Sequence, residues 1–205
     1  MSSIELRKLR DLIMFAKPTR VLEIGMANGT SSIVMADALR RSSHGSLTSI
    51  DPNQTKPAPQ GYGSAGLKAV SSLMPSHRLI EDFDHVVLPQ LVDKGETFDF
   101  ILVDGFHSFD LTFLDFFYAD KLLQSGGLLV CHDSSSPAVQ RCCDGWNGIN
   151  PTSGSRHRSI LPLPRFSQNC EIVFLPDRNA SGDKPNGICS WPTANRQNIK
   201  CRSTC

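Results

Sequence analysis

Apolar residues along this chain fall into two alternating patterns, short near-continuous runs and longer segments with helical spacing. The short runs are Arg20 to Ile24, Ser46 to Ile50, Arg78 to Ile80, Phe98 to Val103 and Leu128 to Cys131. Each is short enough to be a strand, and the fourth is apolar on nearly every residue, as expected where both sheet faces are covered. Between them lie segments with a helical period. Leu9, Leu12, Ile13 and Ala16 trace a first helix, capped by Ser2 or Ser3 and stopped before Pro18. A second runs from about Ser31 to Arg41, and a third carries Leu67, Val70 and Met74 and closes at Pro75. Val87, Leu88, Leu91 and Val92 mark a fourth, with Pro89 expected in its first turn, and Phe109, Phe113, Phe116 and Leu123 trace a fifth that stops at Gly126-Gly127.

Strands alternating with helices predict an α/β fold, a doubly wound, Rossmann-like and mostly parallel sheet with right-handed crossovers. A helix over Ala138 to Cys143 follows, then late strands at Ile160-Leu161 and Glu171 to Leu175, one of them expected to run antiparallel. Beyond Pro176 the chain is rich in Asn, Ser, Gly, Pro and Lys. Residues 1–175 therefore read as a single domain and residues 176–205 as an irregular tail.

Composition narrows the function classes. A chain of 205 residues with 40% hydrophobic content suits one globular core. Its 21 basic and 20 acidic side chains give a net charge of +1, which offers no bulk attraction to nucleic acid or an anionic membrane. That leaves small molecules and proteins as expected partners. The N-terminus lacks the pattern of a signal peptide and no run is long and apolar enough to span a bilayer, so a cytoplasmic location is expected. The seven cysteines all follow residue 130, unlike the dense spacing of a secreted disulfide scaffold, and reduced thiols are expected.

Chemistry gathers where strands end. Gly25, Asp51, Asp104 and His132-Asp133 all sit at carboxyl ends of predicted strands, the edge at which open α/β sheets bind ligands. Gly25 and Gly29, four apart, precede a Ser/Thr cluster that opens the second helix, a strand–turn–helix with N–H groups facing a crevice. Asp51, just past strand two, is placed to accept ribose hydroxyls. Asp104 and Asp133 at neighbouring strand ends can share a hard divalent cation, and His107, three residues after Asp104, can take a proton from a hydroxyl.

Four segments in order, Val-Leu-Glu-Ile-Gly-Met-Ala-Asn-Gly-Thr-Ser-Ser, Ser-Ile-Asp-Pro, Phe-Asp-Phe-Ile-Leu-Val-Asp-Gly-Phe-His-Ser-Phe-Asp and Gly-Gly-Leu-Leu-Val-Cys-His-Asp, resemble the class I S-adenosylmethionine-dependent methyltransferases over about residues 10–145. Within that superfamily the chain looks most like small-molecule O-methyltransferases, including metal-dependent macrolide-sugar enzymes. The resemblance implies that Glu23, Gly25, Gly29, Ser31, Asp51, Asp82 and Phe83 bind S-adenosylmethionine, with Glu23 holding the methionine amino group directly or through water. It implies His107 and Asp104 as catalytic residues, and Asp104, Asp133 and His132 as ligands of a divalent metal such as magnesium. His132 departs from the pattern, replacing the first residue of an acidic pair in those sugar enzymes. Phe106, Phe109, Phe113 and Trp146 are candidate acceptor-pocket residues, and Arg156-His157-Arg158 a small basic cluster. Two other readings stay open, a noncatalytic S-adenosylmethionine-binding protein and a nicotinamide-dependent oxidoreductase, the second disfavoured by the glycine spacing.

Overall fold

In the computed structural model, residues 1–42, 45–148, 161–162 and 170–174 are described, with side chains given through residue 144. The elements run α1 (Ser3–Ala16), β1 (Arg20–Ile24), α2 (Thr30–Ser42), β2 (Ser46–Ile50), α3 (Ala65–Leu73), β3 (Arg78–Ile80), α4 (Asp84–Asp93), β4 (Phe98–Val103), α5 (Phe109–Leu122), β5 (Leu123–His132), α6 (Pro137–Gly148), β6 (Leu161–Pro162) and β7 (Cys170–Phe174). One sheet takes the order β3-β2-β1-β4-β5-β7-β6, with β3 through β5 parallel and β7 antiparallel to β5 and β6. The expected doubly wound sheet with a late antiparallel strand is therefore present, and the chain order changes direction between β1 and β4.

Strand parity divides the core in two. Val21, Phe100, Leu102, Leu128 and Val130 pack with Leu9, Leu12 and Ile13 of α1 and Met35 and Leu39 of α2. Leu22, Ile24, Ile101, Val103, Leu129 and Cys131 pack on the opposite face with Val87, Leu88 and Leu91 of α4 and Phe116, Ala119 and Leu122 of α5. Burial on both faces explains why these strands read as apolar runs rather than alternations. Helix α1 begins with a capping box, the Ser2 hydroxyl accepting from Glu5 N–H and the Glu5 carboxylate from Ser2 N–H.

Three local expectations are corrected. Pro89 lies in the second turn of α4, because the Phe83 carbonyl accepts from Val86 and Val87 N–H and starts the helix at Asp84. Helix α5 stops at Leu122, and Leu123 already pairs with Phe98, so Gly126-Gly127 belong to β5 instead of ending the helix. The buried face of α5 is Thr112, Asp115, Phe116, Ala119 and Leu122, whereas Phe109 and Phe113 are exposed with their rings stacked 6.1 Å apart. Their i, i+4 spacing was the genuine helical signal, but on the outer side. Arg156-His157-Arg158, the boundary after residue 175 and the tail 176–205 lie outside the described residues, as does the side chain of Trp146.

Candidate active site

The ends of the central strands are tied to one another by backbone bonds that continue the ladder into the loops. Gly25 N–H donates to the Ile50 carbonyl at 2.9 Å, Asp51 N–H to Ile80 at 3.2 Å and Asp104 N–H to Ile24 at 2.8 Å. These bonds hold the starts of the loops after β1, β2 and β4 at one edge. Gly25 adopts φ +89°, and a β-carbon there would run into the Asp104 carbonyl and Gly105 Cα. Glycine is thus required twice, for the dihedral and for the close approach.

Asp51 is the clasp of the glycine turn. Its Oδ2 accepts from Met26 N–H at 3.2 Å and Ala27 N–H at 2.9 Å, and its Oδ1 accepts from Asn53 N–H at 2.9 Å. Ala27 sits at φ 46°, a conformation costly for a residue with a β-carbon, and Gln54 Nε2 holds it from the other side by donating to its carbonyl at 2.7 Å. Oδ1 keeps capacity for one further donor.

Glu23 faces the protein interior rather than the cleft. Strand parity places it with Val21 on the α1–α2–α3 face, where it is 0% exposed. The hydroxyls of Ser31 and Ser32 donate to its two oxygens at 2.6 Å each, and that of Ser49 donates at 2.7 Å. Because Ser49 spends its proton on Glu23, the ring of His77, 2.9 Å from the same oxygen, must donate through Nε2. Burial pushes the Glu23 carboxyl up to about 7 against the lowering effect of the three hydroxyls. An acid whose folded value exceeds its unfolded one loses stabilisation as pH rises. Stability should therefore fall by about 3 kcal/mol between about pH 4.5 and 7 from this group. Glu23→Gln, followed by urea unfolding across that window, should flatten this part of the profile; an unchanged slope would assign it elsewhere.

Across the edge, Asp104, His107 and Asp133 bring one ligand-capable atom each to within 4.8 Å of one another. His107 Nε2 lies 3.1 Å from Asp133 Oδ2, with the imidazole about half exposed. Asp133 takes φ 54°, a left-handed turn that swings its carboxylate toward the loop after β4. His132 belongs to a different position. Sharing strand parity with Leu128 and Val130, it points at α1, where Nε2 comes 3.5 Å from Glu5 Oε2. Its Nδ1 lies 2.8 Å from Asp104 Oδ1 and 3.0 Å from Asp133 Oδ2. Burial alone would lower the His132 pKa, but the hydrogen bond to Asp104 and the charges of Asp104 and Asp133 outweigh it and raise the value. His132, the third ligand that the sequence suggests, thus presents Nδ1 to both carboxylates from the buried side, while the trio whose ligand-capable atoms lie within 4.8 Å of one another contains His107.

A sequence profile described as a methyltransferase domain matches residues 22–134, which contain the glycine turn, Asp51 and the whole Asp104–His107–Asp133 cluster. The chain belongs to this methyltransferase family. Among solved structures, the fold is similar to an O-methyltransferase of Bacillus cereus determined in complex with S-adenosylhomocysteine, at 20% identity, TM-score 0.63, and coverage of 85% of this chain and 82% of that one. It is also similar to the O-methyltransferase TomG of Streptomyces achromogenes, involved in tomaymycin synthesis and determined with S-adenosylmethionine, at 19% identity, TM-score 0.63, and coverage of 86% and 81%. No curated protein sequence matches the chain significantly.

Other expected positions of this methyltransferase lie at the same edge. Asp82 and Phe83 follow β3. Asp82 Oδ1 accepts from Phe83 N–H at 2.8 Å, and the Phe83 ring is exposed with its centroid 5.4 Å from that of His85. Glu81 is engaged by Thr55 of the long loop after β2, whose N–H donates at 2.6 Å. Gly29, at φ +76°, lets the start of α2 come against Gly66 of α3. Phe106 is 60% exposed beside His107. Two groups escaped the sequence reading. Ser49 could have been found as the one polar side chain pairing in register with Glu23. Asp115 could have been found as a carboxyl on the buried stripe of α5.

Proposed function

We propose that this methyltransferase moves the methyl group of S-adenosylmethionine to a hydroxyl of a small molecule, a sugar or phenol-like acceptor. The observation that carries the reading is the seating of Gly25 against the Asp104 carbonyl, which sets the glycine turn next to an acid–base cluster. The turn fits such a cofactor. Gly25 lets the turn lie directly against the end of β4, and Asp51 retains an acceptor site on Oδ1 for a ribose hydroxyl. The Bacillus cereus and Streptomyces achromogenes enzymes were determined with S-adenosylhomocysteine and S-adenosylmethionine, respectively, which supports the same cofactor here. The nicotinamide-dependent alternative gives way to the family match.

When bound, the cofactor supplies a methyl group activated on a sulfonium. The remaining work is alignment, deprotonation and exclusion of water. His107 accepts the hydroxyl proton, and Asp133, 3.1 Å from its Nε2, orients the ring and stabilises the imidazolium so formed. Asp104, fixed by His132 at 2.8 Å, borders the same space. Incubation with S-adenosylmethionine and a panel of hydroxyl compounds should yield a product heavier by one methyl in place of hydrogen. Cofactor binding with no product from any acceptor would instead sustain the noncatalytic reading.

A second reading is favoured by the donor set itself. Two carboxylates and an imidazole within 4.8 Å suit a divalent cation, which would be held by Asp104, His107 and Asp133 and would orient acceptor oxygens. Activity that survives exhaustive chelation supports His107 as a free base; activity lost and restored by added magnesium or manganese supports the cation.

The Asp51 role has a direct measurement. Asp51→Ala should weaken S-adenosylhomocysteine binding by about 10- to 100-fold in calorimetry, through the lost acceptor and the loosened turn. Undiminished affinity would remove Asp51 from the site. Among the described residues no helix is long and apolar enough to cross a membrane.

A further inference from the structure

Beneath the loop that carries Asp104 and His107, on the α4–α5 side of the sheet, two more carboxyl groups face a common gap. Asp115, in the middle of α5, is 0% exposed, and neither of its oxygens has a hydrogen-bond partner among the described residues. Asp84, the first residue of α4, is likewise buried, and its Oδ1 is occupied by His85, whose backbone N–H donates at 2.6 Å. The other oxygen of Asp84 is turned toward Gly105. A β-carbon placed on Gly105 would lie 3.4 Å from Ile24 Cγ2, 3.5 Å from Asp115 Oδ2 and 3.6 Å from Asp84 Oδ2. Those are ordinary contact distances. The missing side chain of Gly105 thus leaves a methyl-sized gap bordered by one methyl group and two carboxyl oxygens.

A buried carboxyl without a donor is costly, and two of them side by side are more so. Burial first, and then the charge of Asp84, push the Asp115 carboxyl up to about 8. A proton shared between the two acids would satisfy one oxygen of Asp115 and leave the other bare. A cation that takes oxygen ligands would neutralise both side chains at once.

We propose that Asp84 and Asp115 form a buried site for one hard divalent cation, separate from the Asp104–His107–Asp133 cluster. Oxygen-only donors favour magnesium or calcium over metals that prefer imidazole or thiolate. The Asp84 side chain, 10% exposed, leaves a way in from the start of α4. By neutralising the pair, the ion would secure the start of α4 and the middle of α5 under Gly105, the residue after Asp104.

The test uses the full chain stripped with chelator, in an Asp133→Asn background that disables the other cluster. Thermal melting is followed against magnesium and against calcium. One of them should raise Tm saturably, by about 5 °C or more at a large excess over Kd. Adding Asp115→Asn, which keeps the side-chain volume, should abolish the rise. Should that variant fail to fold, Asp84→Asn in the same background serves instead. No saturable rise with either ion, a stability that responds to pH alone, or a rise that persists in the Asp115→Asn and Asp84→Asn proteins would each overturn the proposal.

Discussion

Replacing His107 with alanine is expected to lower turnover by about 10²- to 10⁴-fold, the range that a positioned general base contributes. Affinity for S-adenosylhomocysteine should stay within about twofold, because His107 stands beside Asp133 and not in the glycine turn. The combination matters more than either number. A variant that merely disturbed the fold would lose both, whereas removal of a proton acceptor spares ground-state binding of the cofactor. Added imidazole should restore part of the activity by entering the space left by the ring, which is open to solvent on one side. Full activity of His107→Ala on an identified acceptor would falsify the base assignment. If chelation shows that a cation is needed, the same substitution should also weaken metal binding, and the imidazole rescue should then depend on added metal.

The second large effect concerns Gly25→Ala. Its φ of +89° disfavours any residue with a β-carbon, and that carbon would be driven into the Asp104 carbonyl, a backbone group that cannot rotate away. Strain and overpacking together should cost about 3 kcal/mol or more, seen as a lower urea midpoint at unchanged slope. Cofactor binding should disappear in the fraction that remains folded, since the turn and the end of β4 must part by the width of a methyl group. Ala27→Gly provides the contrast. Ala27 also has a positive φ, 46°, so glycine there relieves strain while adding freedom to the unfolded chain, and the net change should be small. If Gly25→Ala melts and binds like the wild type, the close approach between β1 and β4 is not what positions the site.

His132 and Asp133 show how much hangs on which way a strand end faces. Adjacent in sequence, they read as one ligand pair. The parity of β5 sends His132 toward Glu5 of α1, while the left-handed turn at Asp133 brings its carboxylate back over the edge to His107. The first half of that separation was available from the alternation of Leu128, Val130 and His132. The second half was not, because nothing in the residue type compels Asp133 to take φ 54°. Glu23 is a similar case. Its place in the turn motif suggested a ligand contact, yet its parity with Val21 marks it as inward-facing, and only the arrival of Ser49 from β2 and of Ser31 and Ser32 from α2 explains how a buried carboxylate is tolerated.

Sequence alone determined the order of elements, the parallel sheet with its antiparallel late strand, and the gathering of Gly25, Asp51, Asp104 and Asp133 at one edge. Those properties follow from local spacing and from the right-handed crossover, both of which are short-range constraints. Tertiary structure decided everything that depends on a partner distant in the chain. It set Asp51 on the N–H groups of Met26 and Ala27, paired His107 with Asp133 across the gap between two strands, and turned Asp115 toward Asp84 under Gly105. Each contact joins segments that pack together only once the sheet has formed, so no local pattern of residues could encode its geometry.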